Sequence, residues 1–139
     1  MTASSSHRPE PPREPAERQG EGWWAHWSAK FIRAVRGIYW GVQGQSSFLV
    51  HTVAAAGVTA AGWYLGIPAA KWLVVILAIS VVLTAELFNS ALEHLARAFD
   101  VGHHPSIGKA LDIASGAVLI AAIGAAIVGV IVFLPEWWG

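Results

Sequence analysis

The chain has 139 residues, nine lysines and arginines against nine aspartates and glutamates, no cysteine, 55% hydrophobic residues and a mean hydropathy of +0.49. This balance excludes a strongly basic nucleic-acid surface, disulfides and thiolate metal sites, and it is too apolar for an ordinary water-soluble domain. The composition is that of one small membrane domain.

Residues 1–22, MTASSSHRPEPPREPAERQGEG, are polar and proline-rich with almost no large apolar side chain, so they cannot bury enough surface to offset their ordering entropy. They read as a disordered tail ahead of a membrane domain over 23–139, and no cleavable signal peptide is visible in them, since they are polar rather than apolar. From Trp23 to Val42 the pattern turns helical. At 100° per residue Trp24, Trp27, Phe31, Val35 and Ile38 share one face, while Lys30, Arg33 and Arg36 lie opposite. That is the pattern of a helix lying in the membrane interface with its cations toward head groups and cytosol. GVQGQSS, residues 41–47, is a glycine-punctuated hinge.

Three spans long enough to cross a bilayer follow, over 47–67, 72–95 and 113–134. Small residues recur in the first, permitting close helix approach, and His51 is its one ionisable residue, read as a hydrogen-bonded structural histidine. Trp63, Tyr64 and Trp72 flank the LGIPAAK turn as an aromatic belt. The second span opens with WLVVILAISVVLTA, roughly 21 Å of helix without an ionisable group. Then Glu86, Asn89 and Glu93 appear at i, i+3, i+7, one polar stripe with Ser90 beside it. An ionisable group at that depth costs at least ~2.5 kcal/mol on insertion scales, so it faces protein or water and marks a functional site. Residues 98–112, AFDVGHHPSIGKALD, read as a loop interrupted by glycines and Pro105, and the adjacent His103 and His104 lack the companions of a transition-metal site. Asp112 opens the third span, which carries no charge, and the terminal PEWWG reads as an interfacial stop.

Eight of the nine cations lie before span one or between spans two and three, with Lys71 alone on the other side. By the positive-inside rule the N-terminus is cytoplasmic and the stripe sits at the cytoplasmic end of span two. Three bare helices bury little against one another, so further helices are expected from sister subunits.

Two carboxylates about 10 Å apart on one helix, one deep in lipid and one at the aqueous edge, suit a reaction joining a membrane-dissolved substrate to a water-soluble one. Glu86 fits a base toward a lipid hydroxyl with Asn89 orienting the partners, and Glu93 fits a ligand for Mg²⁺ on a polyphosphate. A proton-coupled transport component or a structural polar seam between subunits would use similar residues.

The segment AELFNSALE, residues 85–93, resembles the signature E-x-x-N-[ST]-A-[IL]-E of the small prokaryotic diacylglycerol kinases and their undecaprenol kinase relatives. HPSIGKALDIASGAVLI, residues 104–120, is similar to the family's H-P-x-x-x-x-A-K-D-x-A-[AS]-G-A-V-L segment, and Phe31, Ala34 and Gly37 fit its F-x-x-A-x-x-G surface helix. The resemblance covers nearly everything after Trp23. It implies an all-α membrane protein, a homotrimer of three-span subunits each preceded by an amphipathic interfacial helix, set in the bacterial inner membrane. It also implies transfer of the γ-phosphate of Mg²⁺-ATP to the hydroxyl of diacylglycerol or undecaprenol.

By motif position Glu86 would be the catalytic base, Asn89 its neighbour, Glu93 a magnesium ligand and Asp112 part of the nucleotide site. The chain departs from the family at three positions. Leu111 replaces the lysine before the aspartate, with Lys109 three residues from Asp112 as its substitute. Gln45 stands where a second metal-binding glutamate is usual, and Arg97 where an acid is usual. These departures leave open a catalytically impaired member that serves as a membrane interaction protein.

Overall fold

The computed structural model describes residues 22–99 and 104–138, the side chains of the last three residues excepted. Four helices account for nearly all of them: α1 (Trp23–Val42), α2 (Ser46–Leu65), α3 (Ala69–Ala98) and α4 (Pro105–Trp138). The chain divides into two compact units, residues 1–35 and 36–139, each considered by itself. The reading of a disordered tail falls outside the described residues apart from Gly22.

In the first unit, α1 starts where the Gly22 carbonyl accepts from the amides of Ala25 and His26. Trp24, Trp27 and Phe31 are exposed along it, and the Lys30 ammonium lies 5.0 Å from the Trp27 ring centroid, a cation–π contact.

The second unit holds the three long helices, all of the length and apolarity needed to cross a membrane. Most of their large apolar side chains are exposed. In water that surface would drive aggregation; against lipid tails it is solvated. At one end, Ile67, Val75 and Val132 close a small core with Trp72, Ile79 and Phe133 against it. The α2 to α3 turn explains why. Gly66 takes φ 63°, a left-handed conformation open to glycine at no steric cost, and its amide and that of Ile67 bond the carbonyls of Trp63 and Gly62. Ile67 is thereby folded back under the helix, outside the span that the sequence assigns it to. The most extensive helix contact is between α3 and α4, while α2 touches both more sparingly.

Two boundaries differ from the sequence reading for the same reason. Residues 105–112, read as loop, form the first two turns of α4. Pro105 does not interrupt the helix but begins it, where its missing N–H has no bond to make. His104 caps the end: its carbonyl accepts from Ile107 and Gly108, and its Nδ1 accepts from the Ser106 amide at 3.3 Å. At the far end α4 continues through Pro135 rather than stopping there. The break this proline makes in the hydrogen-bond ladder lies beside Val132, whose carbonyl accepts from Lys71 Nζ at 3.1 Å.

Candidate active site

The polar stripe folds as the spacing requires. Glu86, Asn89 and Ser90 are buried on α3, Glu86 with only 1% of its surface exposed, and Glu93 is half-buried one turn further on. What surrounds them comes from the hinge before α2 and from its first two turns. Val42 ends α1, Gly44 reverses the chain at φ 78°, and Gln45 is extended just before α2 begins. The hinge reaches α3 at Gly41, where a Cβ would come within 2.7 Å of Leu87 Cδ2. This close approach brings the Gln45 side chain to the stripe.

Two linked clusters result. In the outer one Gln45 Nε2 donates to Glu93 Oε2 at 2.8 Å and Asn89 Nδ2 donates to Glu93 Oε1 at 3.1 Å. Arg97 Nη2 lies 3.9 Å from Glu93 Oε2 on the exposed side, at a spacing where a surface pair contributes little. In the inner cluster Ser47 and His51, one turn apart on α2, face the two oxygens of Glu86. Ser47 Oγ donates to Oε2 at a long 3.4 Å, and His51 Nε2 lies 3.1 Å from Oε1. The histidine approach is short but not aligned as a hydrogen bond, so Oε1 is electrostatically faced and still without a donor. Asn89 Oδ1 and Ser90 Oγ are likewise buried without a partner. Three such atoms within five residues are a concentration that buried polar groups ordinarily avoid.

Below His51 a cavity of about 420 Å³ opens between the three helices. Its walls are Ala54, Ala55 and Val58 from α2, Val75, Ala78, Ile79, Val82 and Leu83 from α3, and an alanine- and valine-rich face of α4 ending at Phe133. His51 is the one polar side chain among its lining residues, so an apolar chamber ends at the residue that touches Glu86.

The donor set around Glu93 fits a hard divalent cation. It offers one carboxylate and two carboxamides that can turn an oxygen inward, and the Asn89 oxygen is already unpaired. Among the described residues no group of three or more acidic, histidine or cysteine side chains gathers. Mg²⁺ needs only one or two carboxylates when substrate phosphates complete its shell.

The structure thus brings Glu86, Asn89, Glu93 and Gln45 together and leaves Asp112 and Lys109 apart. Both are exposed on the first turns of α4, and among the described residues neither makes a hydrogen bond or ion pair with the cluster. Of the histidine pair, His104 is the cap of α4 and His103 lies outside the described residues. Sequence reasoning overlooked Ser47 and gave His51 only a structural part. Their i, i+4 spacing beside the hinge was the available signal, and the mixed polarity of α2 hid it.

The prokaryotic diacylglycerol kinase family matches the chain over residues 33–133, a stretch that contains both clusters. An undecaprenol kinase of Bacillus subtilis is 33% identical over 106 residues, covering 76% of this chain and 86% of that protein. A diacylglycerol kinase of Synechocystis sp. is 36% identical over 107 residues, covering 76% of this chain and 61% of that protein.

Proposed function

Because the chain belongs to the prokaryotic diacylglycerol kinase family, and is on that ground a membrane lipid kinase that uses ATP, we propose that it phosphorylates the hydroxyl of an undecaprenol-type alcohol at Glu86. The observation that carries this reading is the buried Glu86 carboxylate at the polar end of an apolar chamber. An isoprenoid alcohol has one polar group, the hydroxyl, and hydrocarbon behind it. Diacylglycerol would bring two ester carbonyls among alanines and valines that offer them no donor, a burial that costs free energy. The relative named undecaprenol kinase, matched over most of its length, supports the same choice.

In this reading Glu86 takes the hydroxyl proton as the oxygen attacks the γ-phosphorus, and the bond to the β-phosphate oxygen breaks to release ADP. Glu93 and Asn89, with the Gln45 carbonyl oxygen, would hold Mg²⁺, which supplies charge neutralisation for the transferring phosphoryl group. The loss of a negative charge at Gln45 weakens that hold without removing it. Asp112 and Lys109 belong to the nucleotide site, and since their own chain does not bring them to the cluster, the protein works as a homotrimer in which a neighbour completes it. The N-terminus is cytoplasmic, which puts the Glu93 end of α3 on the ATP side of the bacterial cell membrane.

The test is transfer of radiolabelled phosphate from ATP to undecaprenol and, separately, to diacylglycerol, by the purified full chain in mixed micelles with and without Mg²⁺. Magnesium-dependent labelling of undecaprenol well above diacylglycerol is expected. Preferential labelling of diacylglycerol would overturn the acceptor assignment. No labelling of either, from folded protein, would leave a catalytically impaired member acting as a membrane interaction protein.

A further inference from the structure

Transfer to an alcohol releases a proton, and a base sealed from water must pass that proton on before it can work again. Glu86 is such a base: 1% of its surface is exposed, its Oε2 is covered by Ser47, and the polar residues buried with it on α3, Asn89 and Ser90, carry no titratable group. We infer that His51 is the residue that clears the proton from Glu86, a positioning and relay group for the kinase reaction; this rests on Glu86 being the base.

Three observations converge on it. His51 Nε2 stands 3.1 Å from Glu86 Oε1, the carboxylate oxygen that no hydrogen-bond donor occupies. The His51 side chain is 23% exposed where that of Glu86 is 1%, so one imidazole joins the sealed carboxylate to a more accessible position on α2. And among the described residues of this chain no other titratable group is in contact with Glu86. On α3 the next candidate, Glu93, has both oxygens held by Gln45 and Asn89, with Arg97 against it. The α4 face lining the cavity near His51 presents Ala122, Ala125 and Ala126, and α2 itself offers only the Ser47 hydroxyl, which does not hold a proton in the neutral range.

The step balances without a further reactant. The lipid O–H bond breaks as the O–P bond forms, and the proton goes to Glu86. It then moves to His51 Nε2, leaving a carboxylate and an imidazolium as an ion pair at the distance observed. The imidazolium then gives up a proton to solvent, and return to the Nδ1–H tautomer, with Nε2 again free to accept, restores both groups. The same imidazole lines the apolar chamber, so the relay stands where the alcohol end of the acceptor arrives.

The experiment compares wild type, His51→Gln, His51→Asn and Glu86→Gln as full-length protein in mixed micelles with undecaprenol and Mg²⁺-ATP, helical content being checked by circular dichroism. Glu86→Gln is expected to lose about 10²–10⁴-fold in kcat. Whichever His51 variant retains wild-type helicity is expected to lose about tenfold or more in kcat, the lower reach of acid–base effects, with KM for ATP within twofold. A kcat within twofold of wild type, or a fall in kcat matched by an equal or larger change in KM for ATP, would overturn the inference and leave Glu86 as base. An active Glu86→Gln would overturn the base assignment itself, and the relay with it.

Discussion

The two ends of α3 are put together on opposite principles. Around Val75 the contacts are apolar and complete within one chain: Ile67, Val75 and Val132 close on one another, and Lys71 donates to the Val132 carbonyl. Around Glu86 the buried side chains are polar and incomplete, with Glu86 Oε1, Asn89 Oδ1 and Ser90 Oγ lacking donors or acceptors. A satisfied seam stabilises the helix pair by packing alone. An unsatisfied one is costly in the isolated chain and becomes favourable when a substrate, a cation or a neighbouring subunit supplies what is missing. One helix therefore differs along its length, with a satisfied apolar seam at one end and an unsatisfied polar one at the other.

That division can be broken most directly at Glu86. Glu86→Gln keeps the shape of the side chain and its contact with Ser47 but removes the proposed base. It should lower kcat by about 10²–10⁴-fold, the range of general acid–base contributions, with helical content unchanged. Circular dichroism and the phosphate-transfer assay on the same preparation decide it. If the variant instead lost its helical structure, the polar end would be holding the fold and the contrast between the ends would be wrong.

Glu93→Gln comes next in size. The two amides that hold Glu93 would meet a third amide in place of a carboxylate, and the cation would lose its only full negative charge from this chain's cluster. The loss should be at least the ~10-fold that follows even from removing an outer-shell partner of a metal. Part of it should be recovered by raising Mg²⁺, which a titration of rate against magnesium would show. An effect that magnesium does not relieve would argue against Glu93 as the cation's ligand.

Gln45→Glu sharpens the comparison in the other direction. With Gln45 Nε2 2.8 Å from Glu93 Oε2, a glutamate there places two carboxylates face to face. Without divalent cation they repel, and the thermal midpoint should fall; with it they form a better site, because affinity for hard cations rises with ligand charge. The expected outcome is a several-fold lower Mg²⁺ requirement and a larger stabilisation by Mg²⁺ over chelator than in wild type. Equal midpoints in magnesium and chelator would show that no cation binds between these positions.

The stripe was legible before any coordinates because i, i+3 and i+7 on a long apolar helix leave it one arrangement. Its partners were not legible to the same degree. Gln45 could be placed only through the family's register, since nothing in GVQGQSS says which glutamine turns toward α3. Ser47 and His51 were hidden because the polar residues of α2, with Thr52 and Thr59 bonded to their own helix, form no stripe of their own. The start of α4 was missed because a proline in a glycine-bearing segment was read as a breaker, when at the first helical position it lacks nothing. Lys109 and Asp112 lie on the part of α4 that was read as loop, and nothing in their spacing says what their exposed face meets.

The smallest effect on catalysis is expected at the other end of α3. Val75 is 2% exposed and lies between Ile67 and Val132. Val75→Ala removes two methyl groups from contacts that cannot easily close up, because Ile67 is pinned by the turn at Gly66 and Val132 by the Lys71 ammonium on its carbonyl. The packing lost should be about 1–2 kcal/mol, read as a lower thermal midpoint in detergent, while kcat at a permissive temperature stays within about twofold of wild type. The distance along the helix is what protects the site: 11 residues separate Val75 from Glu86, about 16 Å at 1.5 Å per residue. Over that length the two ends share the helix but no side-chain partner except through the walls of the cavity, which Val75 itself lines. If Val75→Ala raised KM for undecaprenol while leaving KM for ATP unchanged, the apolar end would be part of the acceptor's site as well as the fold's support. The division between stability and chemistry would then run across the helix rather than along it.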